Sequence, residues 1–148
     1  METLDQKSVN KDKLTVLYVE DDPDDQELFQ EALAKVSPEA ICHQASNVDD
    51  ALFFLNEIDS LVDIIFLDIN LPGMNGISFL EILKKYDRLK GIPTIMYSTA
   101  RNEKYIRQCK GLGASSYVVK PNSFLEICNI LKRHCVPSST ALIDRATK

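Results

Sequence analysis

Five short apolar runs, each four to six residues long, recur along the chain with helix-patterned stretches between them. They are Leu14–Val19, Ala40–Ala45, Val62–Leu67, Thr94–Tyr97 and Ser116–Val119. Val16-Leu17-Tyr18-Val19 and Ile64-Ile65-Phe66-Leu67 are continuous and rich in β-branched residues rather than alternating. That pattern suits strands covered on both faces, as a parallel sheet requires. The second run is the weakest and alternates enough to be an edge strand. Strands one, three, four and five are expected in the middle of the sheet.

The intervening segments carry helix signals. Residues 23–36 open with Pro23 and a carboxylate cluster, both favourable at a helix N-terminus. Leu28, Leu33 and Val36, with Phe29 and Ala32, predict an apolar stripe there. Residues 47–57 follow Asn47 as a candidate N-cap and set Val48, Ala51, Leu52 and Leu55 on one face. Residues 76–86 offer Ile77, Leu80 and Leu83. Residues 101–111 are polar, with only Tyr105, Ile106 and Cys109 to bury. Residues 122–134 offer Phe124, Leu125, Ile127, Cys128 and Leu131. Five alternations of strand and helix predict a doubly wound α/β fold. It occupies residues 13–135, between a polar N-terminal extension (1–12) and a polar C-terminal tail (136–148). No further domain is expected after Cys135.

Ligands of such folds sit at the carboxyl ends of the strands. The residues just past each run are therefore the candidates. After the first run comes Glu20-Asp21-Asp22-Pro23-Asp24-Asp25, five carboxylates in six residues. After the third comes Asp68, after the fourth Ser98 and Thr99, and after the fifth Lys120. Asp24 and Asp25 are accounted for as favourable charge at a helix N-terminus, and Asp22 as an N-cap. Glu20 and Asp21 are not, because they stand at the ligand edge with Asp68. Carboxylates clustered there fit a hard divalent cation such as Mg²⁺, which takes oxygen ligands. Asp21 and Asp68 are the candidate direct ligands, Glu20 acts through water, and a backbone carbonyl after Asp68 adds an oxygen. The Pro72-Gly73 and Asn75-Gly76 pairs force a tight loop that holds the Asp68 carboxylate and the Asn70 carbonyl. Lys120 among these acids pairs with them at rest and with phosphoryl oxygens when the site is charged.

Composition excludes several classes. The net charge of −5 argues against a surface built for nucleic-acid phosphates. No apolar run approaches the roughly 18 residues that span a bilayer, and the polar N-terminus is no secretory signal. Cys42, Cys109, Cys128 and Cys135 lack metal-ligand spacing and read as reduced, small buried hydrophobes of a cytoplasmic protein. Charge is unevenly spread: residues 1–83 hold 18 Asp and Glu against 4 Lys and Arg, and residues 84–148 hold 4 against 13.

Together, VLYVEDD, IIFLDINLPGMNG, IPTIMYSTA and YVVKP, in that order over residues 14–134, resemble the receiver domain of two-component response regulators. The resemblance implies a single-domain, chemotaxis-regulator-like protein with a five-stranded parallel sheet in flavodoxin-like order 2-1-3-4-5 and helices on both faces. It makes Asp68 the phosphoacceptor, Glu20 and Asp21 the acidic metal pair, and the Asn70 carbonyl a further Mg²⁺ ligand. Ser98 matches the family's Ser/Thr, Lys120 its lysine, and Tyr117 the aromatic position that changes rotamer. Thr99 stands where the family often has a smaller residue and narrows the site. The implied partners are a histidine kinase or phosphotransfer protein, a target protein the sequence does not name, and a second copy on phosphorylation. A phosphoacceptor of this kind promotes only its own phosphotransfer and dephosphorylation. Two rival readings are a receiver-like scaffold that takes no phosphate and an aspartyl phosphatase of the haloacid-dehalogenase type. The latter needs a second Asp two residues after its nucleophile, where this chain has Asn70.

Overall fold

The computed structural model describes residues 13–57 and 62–136. The chain alternates β1 (Thr15–Val19), α1 (Pro23–Val36), β2 (Ile41–Ala45), α2 (Val48–Glu57), β3 (Ile64–Leu67), α3 (Gly76–Lys85), β4 (Thr94–Ser98), α4 (Glu103–Leu112), β5 (Ser116–Val119) and α5 (Phe124–Cys135). All strand pairs are parallel, and the sheet order is β2-β1-β3-β4-β5. This is the doubly wound order expected from the sequence.

The apolar runs sort by position in the sheet. β3 and β4 are buried along their whole length, and β1 is buried from Val16 onward. Their side chains alternate between two cores, so a continuous run feeds both faces. Leu17, Val19, Ile65, Leu67 and Met96 meet Val48, Ala51 and Leu55 of α2, Leu80 and Leu83 of α3, and Cys109 of α4. Val16, Tyr18, Ile64, Phe66, Ile95 and Tyr97 meet Phe29 and Leu33 of α1 and Ile127 and Leu131 of α5. Phe29 stacks on Tyr18 with ring centroids 4.1 Å apart and meets the edge of Phe66 at 5.1 Å. Aromatic pairs of this kind add about 0.5–1.5 kcal/mol beyond area burial.

β2 is an edge strand, with Ile41 and His43 exposed, as its alternation predicted. β5 corrects the expectation that it lies in the sheet interior: it forms the opposite edge and is half-buried throughout. Three helix positions also differ. Leu28, Phe124 and Leu125 were expected in apolar stripes but are exposed. On α1 the buried stripe is Phe29, Ala32 and Leu33, and on α5 it starts at Ile127 and includes Ile130 and Cys135. In both helices several apolar residues compete for a face about 100° wide, and the sheet selects among them. Cys109, Cys128 and Cys135 are buried and Cys42 half-buried, all four as free thiols.

Helix ends follow the sequence closely. Asp22 caps α1, accepting from the Asp24 amide at 2.9 Å, with Pro23 opening the helix. Asn47 Oδ1 accepts from the Asp50 amide at 2.8 Å at the start of α2. Asn75, Asn102 and Ser123 cap α3, α4 and α5. Of the expected terminal extensions 1–12 and 136–148, all but Val136 lie outside the described residues. Among the described residues no helix is long and apolar enough to cross a membrane.

Candidate functional site

Parallel strands bring their carboxyl ends to one edge, and β1 and β3 are neighbours there, with Val19 beside Leu67. Glu20 and Asp68 therefore leave the sheet side by side. The Asp68 amide donates to the Val19 carbonyl at 3.1 Å, which continues the ladder one step beyond the strands. Oxygens of Glu20, Asp21 and Asp68 all lie within 4.8 Å of one another. Glu20 is 2% exposed and Asp68 6%, while Asp21 faces solvent.

Lys120 enters from the end of β5. Its ammonium bonds the Glu20 carboxylate, sits 2.8 Å from Asp25 Oδ2 and lies 3.4 Å from Asp68 Oδ2. It also stands 5.8 Å over the Tyr97 ring. Burial alone pushes a lysine down in pKa, but the Asp25 and Glu20 carboxylates outweigh burial and hold Lys120 above its ordinary value. Lys120 faces three carboxylates, Glu20, Asp25 and Asp68, with Asp21 beside them, and Glu20 is the most deeply buried of these acids. Burial raises its pKa to about 7, opposed by the bond to Lys120 and by the Asp22 amide, which donates to Oε2 at 3.0 Å.

An all-oxygen set of three carboxylates with surplus negative charge fits a hard divalent cation. A cavity of about 430 Å³ opens beside it, lined by Asp21 and by the loop from Ile69 to Asn75, Asn70 included. The geometry of that loop is tight. Gly73 sits at φ +82°, a conformation that favours glycine. A Cβ on Gly76 would lie 2.0 Å from the Asp68 carbonyl oxygen. Only glycine lets α3 begin so close to the strand that carries Asp68. The Gly76 amide donates to the Ile69 carbonyl at 2.7 Å, and the Ile69 amide donates to Asp68 Oδ1 at 2.8 Å. The carboxylate is thus fixed by its own loop.

Ser98 is fully buried at the end of β4 and is joined to Lys120 through the Lys120 amide, which donates to the Ser98 carbonyl at 2.9 Å. Its hydroxyl accepts from the Ala100 amide at 3.3 Å. Tyr117 is half-buried, and its hydroxyl donates to the Ala100 carbonyl at 2.7 Å. Ser98 and Tyr117 thus hold the same residue, Ala100, from two sides. Thr99 between them is exposed.

Sequence reasoning missed several residues. Asp25, read only as helix-terminal charge, is a direct partner of Lys120. Gln26 donates to the Glu20 carbonyl and, at 3.2 Å, to Ser46 Oγ, while Gln44 Nε2 donates to the Gln26 carbonyl at 2.8 Å. These amides brace the acidic turn against β2. The Tyr18 hydroxyl donates to Glu20 Oε1 at 3.4 Å. The Asp25–Lys120, Gln26–Ser46 and Gln44–Gln26 contacts join residues 18 to 95 positions apart, which only the fold makes neighbours.

The response regulator receiver domain model matches residues 16–132. The chain belongs to that family. It is 33% identical over 111 residues to the transcriptional regulatory protein MalR of Bacillus subtilis, covering 75% of this chain and 46% of MalR. It is 29% identical over 128 residues to the two-component response regulator-like protein APRR9 of Arabidopsis thaliana, covering 84% of this chain and 26% of the relative. The chain therefore spans under half the length of either. Among solved structures, the phosphorylated cyanobacterial phytochrome response regulator RcpA superposes with a TM-score of 0.78 at 27% identity, covering 86% of this chain and 97% of that one. The receiver fold and membership of the receiver-domain family are thereby established for this chain.

Proposed function

We propose that this receiver takes a phosphoryl group onto Asp68 from the phosphohistidine of a histidine kinase or phosphotransfer protein. The observation that carries the reading is the buried Asp68 carboxylate, 3.4 Å from the Lys120 ammonium and beside Glu20 and Asp21 at the open edge of the sheet. The structure of RcpA in a phosphorylated form supports it.

An Asp68 oxygen attacks phosphorus in line, the P–O bond forms as the P–N bond breaks, and the imidazole leaves with the electron pair and takes a proton from solvent. Lys120, already at Asp68 Oδ2, neutralises charge on the transferring group, so catalysis is positioning plus electrostatics. Glu20, Asp21, Asp68 and the Asn70 carbonyl are the residues that would hold Mg²⁺. Bound there, the cation supplies further positive charge against the phosphoryl oxygens. The Ile69 amide holds Asp68 Oδ1, which leaves Oδ2 as the nucleophile.

The phosphoryl adds about −1.5 to −2 charges at the end of β3. Ser98 turns its hydroxyl toward it and gives up the Ala100 amide, and Tyr117 releases the Ala100 carbonyl and moves inward. That local exchange changes the surface of α4, β5 and α5, which then binds a target protein or a second copy. Treatment with a small phosphodonor and Mg²⁺ tests the reading. Stable one-site incorporation is the expected result. Rapid turnover of many equivalents would instead mean a phosphatase, and no incorporation a scaffold.

A further inference from the structure

We propose that copies of this chain associate head-to-tail, with the α2 face around Phe53 of one copy seated in the cleft beside β5 of the next. Phe53 is 69% exposed in the middle of α2. Asp49 and Asp50 precede it by four and three residues and Glu57 follows by four, so helix geometry sets three exposed carboxylates around one phenyl ring. Beside it the exposed edge strand β2 adds Ile41, 45% exposed, and the His43 ring stacked on Phe54 at 3.7 Å. An aromatic anchor with an acidic rim needs a partner that joins an apolar slot to cations.

The chain carries such a slot at the opposite edge of its own sheet. A cavity of about 510 Å³ is walled by Val118, Pro121 and Ile130 and flanked by Arg101 and Arg133. Both arginines are exposed, and neither is in an ion pair among the described residues. Glu126 is the single carboxylate of the lining, so the rim is cationic. The two surfaces belong to β2 with α2 and to β5 with α5, at opposite ends of the strand order. One molecule cannot satisfy itself, and a contact between two unlike patches leaves one of each free to continue the chain. The uneven charge of the two halves acts in the same direction, because head-to-tail stacking sets the acidic half of one copy against the basic half of the next.

Sedimentation velocity over a concentration series tests this. The wild type is expected to grow past a dimer with concentration, and less so at high salt. Phe53→Asp and the double variant Arg101→Glu with Arg133→Glu, each with an unchanged circular dichroism spectrum, should associate roughly thirtyfold more weakly or not at all. Mixing the two variants should restore a one-to-one dimer that grows no further, because each supplies the patch the other lacks. A wild type that stays monomeric at every concentration overturns the proposal. So does a Phe53→Asp protein that associates as the wild type does, or a mixture of the folded variants that fails to pair.

Discussion

Lys120 is the residue on which the site turns. It is the one cation among Glu20, Asp25 and Asp68, and its side chain is almost fully buried. Removing one partner of a buried charge cluster costs more than forming the cluster gains, because the remaining charges stay out of water. Lys120→Met is therefore expected to lose about 3 kcal/mol of unfolding free energy at pH 8 in urea titrations. The loss should be smaller at pH 6, where Glu20, with a pKa of about 7, is largely protonated. The same variant should retain Asp68 and still lose phosphoryl uptake. Asp21 lies on the other side of the balance. It is exposed and adds like charge, so Asp21→Ala should raise the stability of the metal-free protein while weakening Mg²⁺ binding in titration calorimetry. An unchanged Mg²⁺ affinity would remove Asp21 from the ligand set.

Among the elements, α3 and α5 show what local sequence carries and what it does not. The Asn75-Gly76 pair was readable as a turn, and the helix starts there. That Gly76 abuts the Asp68 carbonyl was not readable, because the contact crosses from the helix back to β3. Gly76→Ala should cost about 2 kcal/mol, as an overpacked backbone contact does, and should slow phosphoryl uptake by displacing Asp68. The runs of β1, β3 and β4 were legible because strands covered on both faces keep a continuous apolar stretch, Val16–Val19, Ile64–Leu67 and Ile95–Tyr97, rather than an alternating one. The buried faces of α1 and α5 were less so. Leu28, Phe124 and Leu125 fit a helical period as well as the residues buried in their place, and the sheet decides. Asp25 shows the same limit, since its link to Lys120 spans 95 residues of chain. His134, near the end of α5, has a buried Nε2 with no hydrogen-bond partner among the described residues and meets the edge of Phe66 at 6.3 Å. Burial, with Arg133 beside it, lowers its pKa below 6.5. The unfolded chain then binds the proton more readily, so this group destabilises the fold as pH falls below 6.5. His134→Phe should flatten the decline in stability between pH 7 and 5. An identical decline in the variant would show that His134 does not titrate against the fold.

Over the whole molecule, the parallel sheet holds the acids that follow β1 and β3 at one edge, and the proposed switch runs from there through β4 and β5. The outer surface there is α4, with Lys104, Arg107 and Lys110 exposed and little apolar content to bury. The Arg107–Glu103 pair, at 3.6 Å and well exposed, contributes little to stability, so these cations are available to a partner. Phosphorylation should strengthen binding of an acidic partner to this face. Lys104→Glu with Arg107→Glu should weaken that binding in pull-downs at low salt while leaving phosphoryl uptake unchanged. All of this depends on a phosphoryl group arriving at one atom of one residue. The direct measurement is peptide-mapped mass spectrometry of wild type and Asp68→Asn after treatment with a small phosphodonor and Mg²⁺. The expected result is a single phosphoryl on the peptide that contains Asp68 in the wild type, and none in the folded variant. Equal labelling of both proteins, or a label mapped to another residue, would contradict the account.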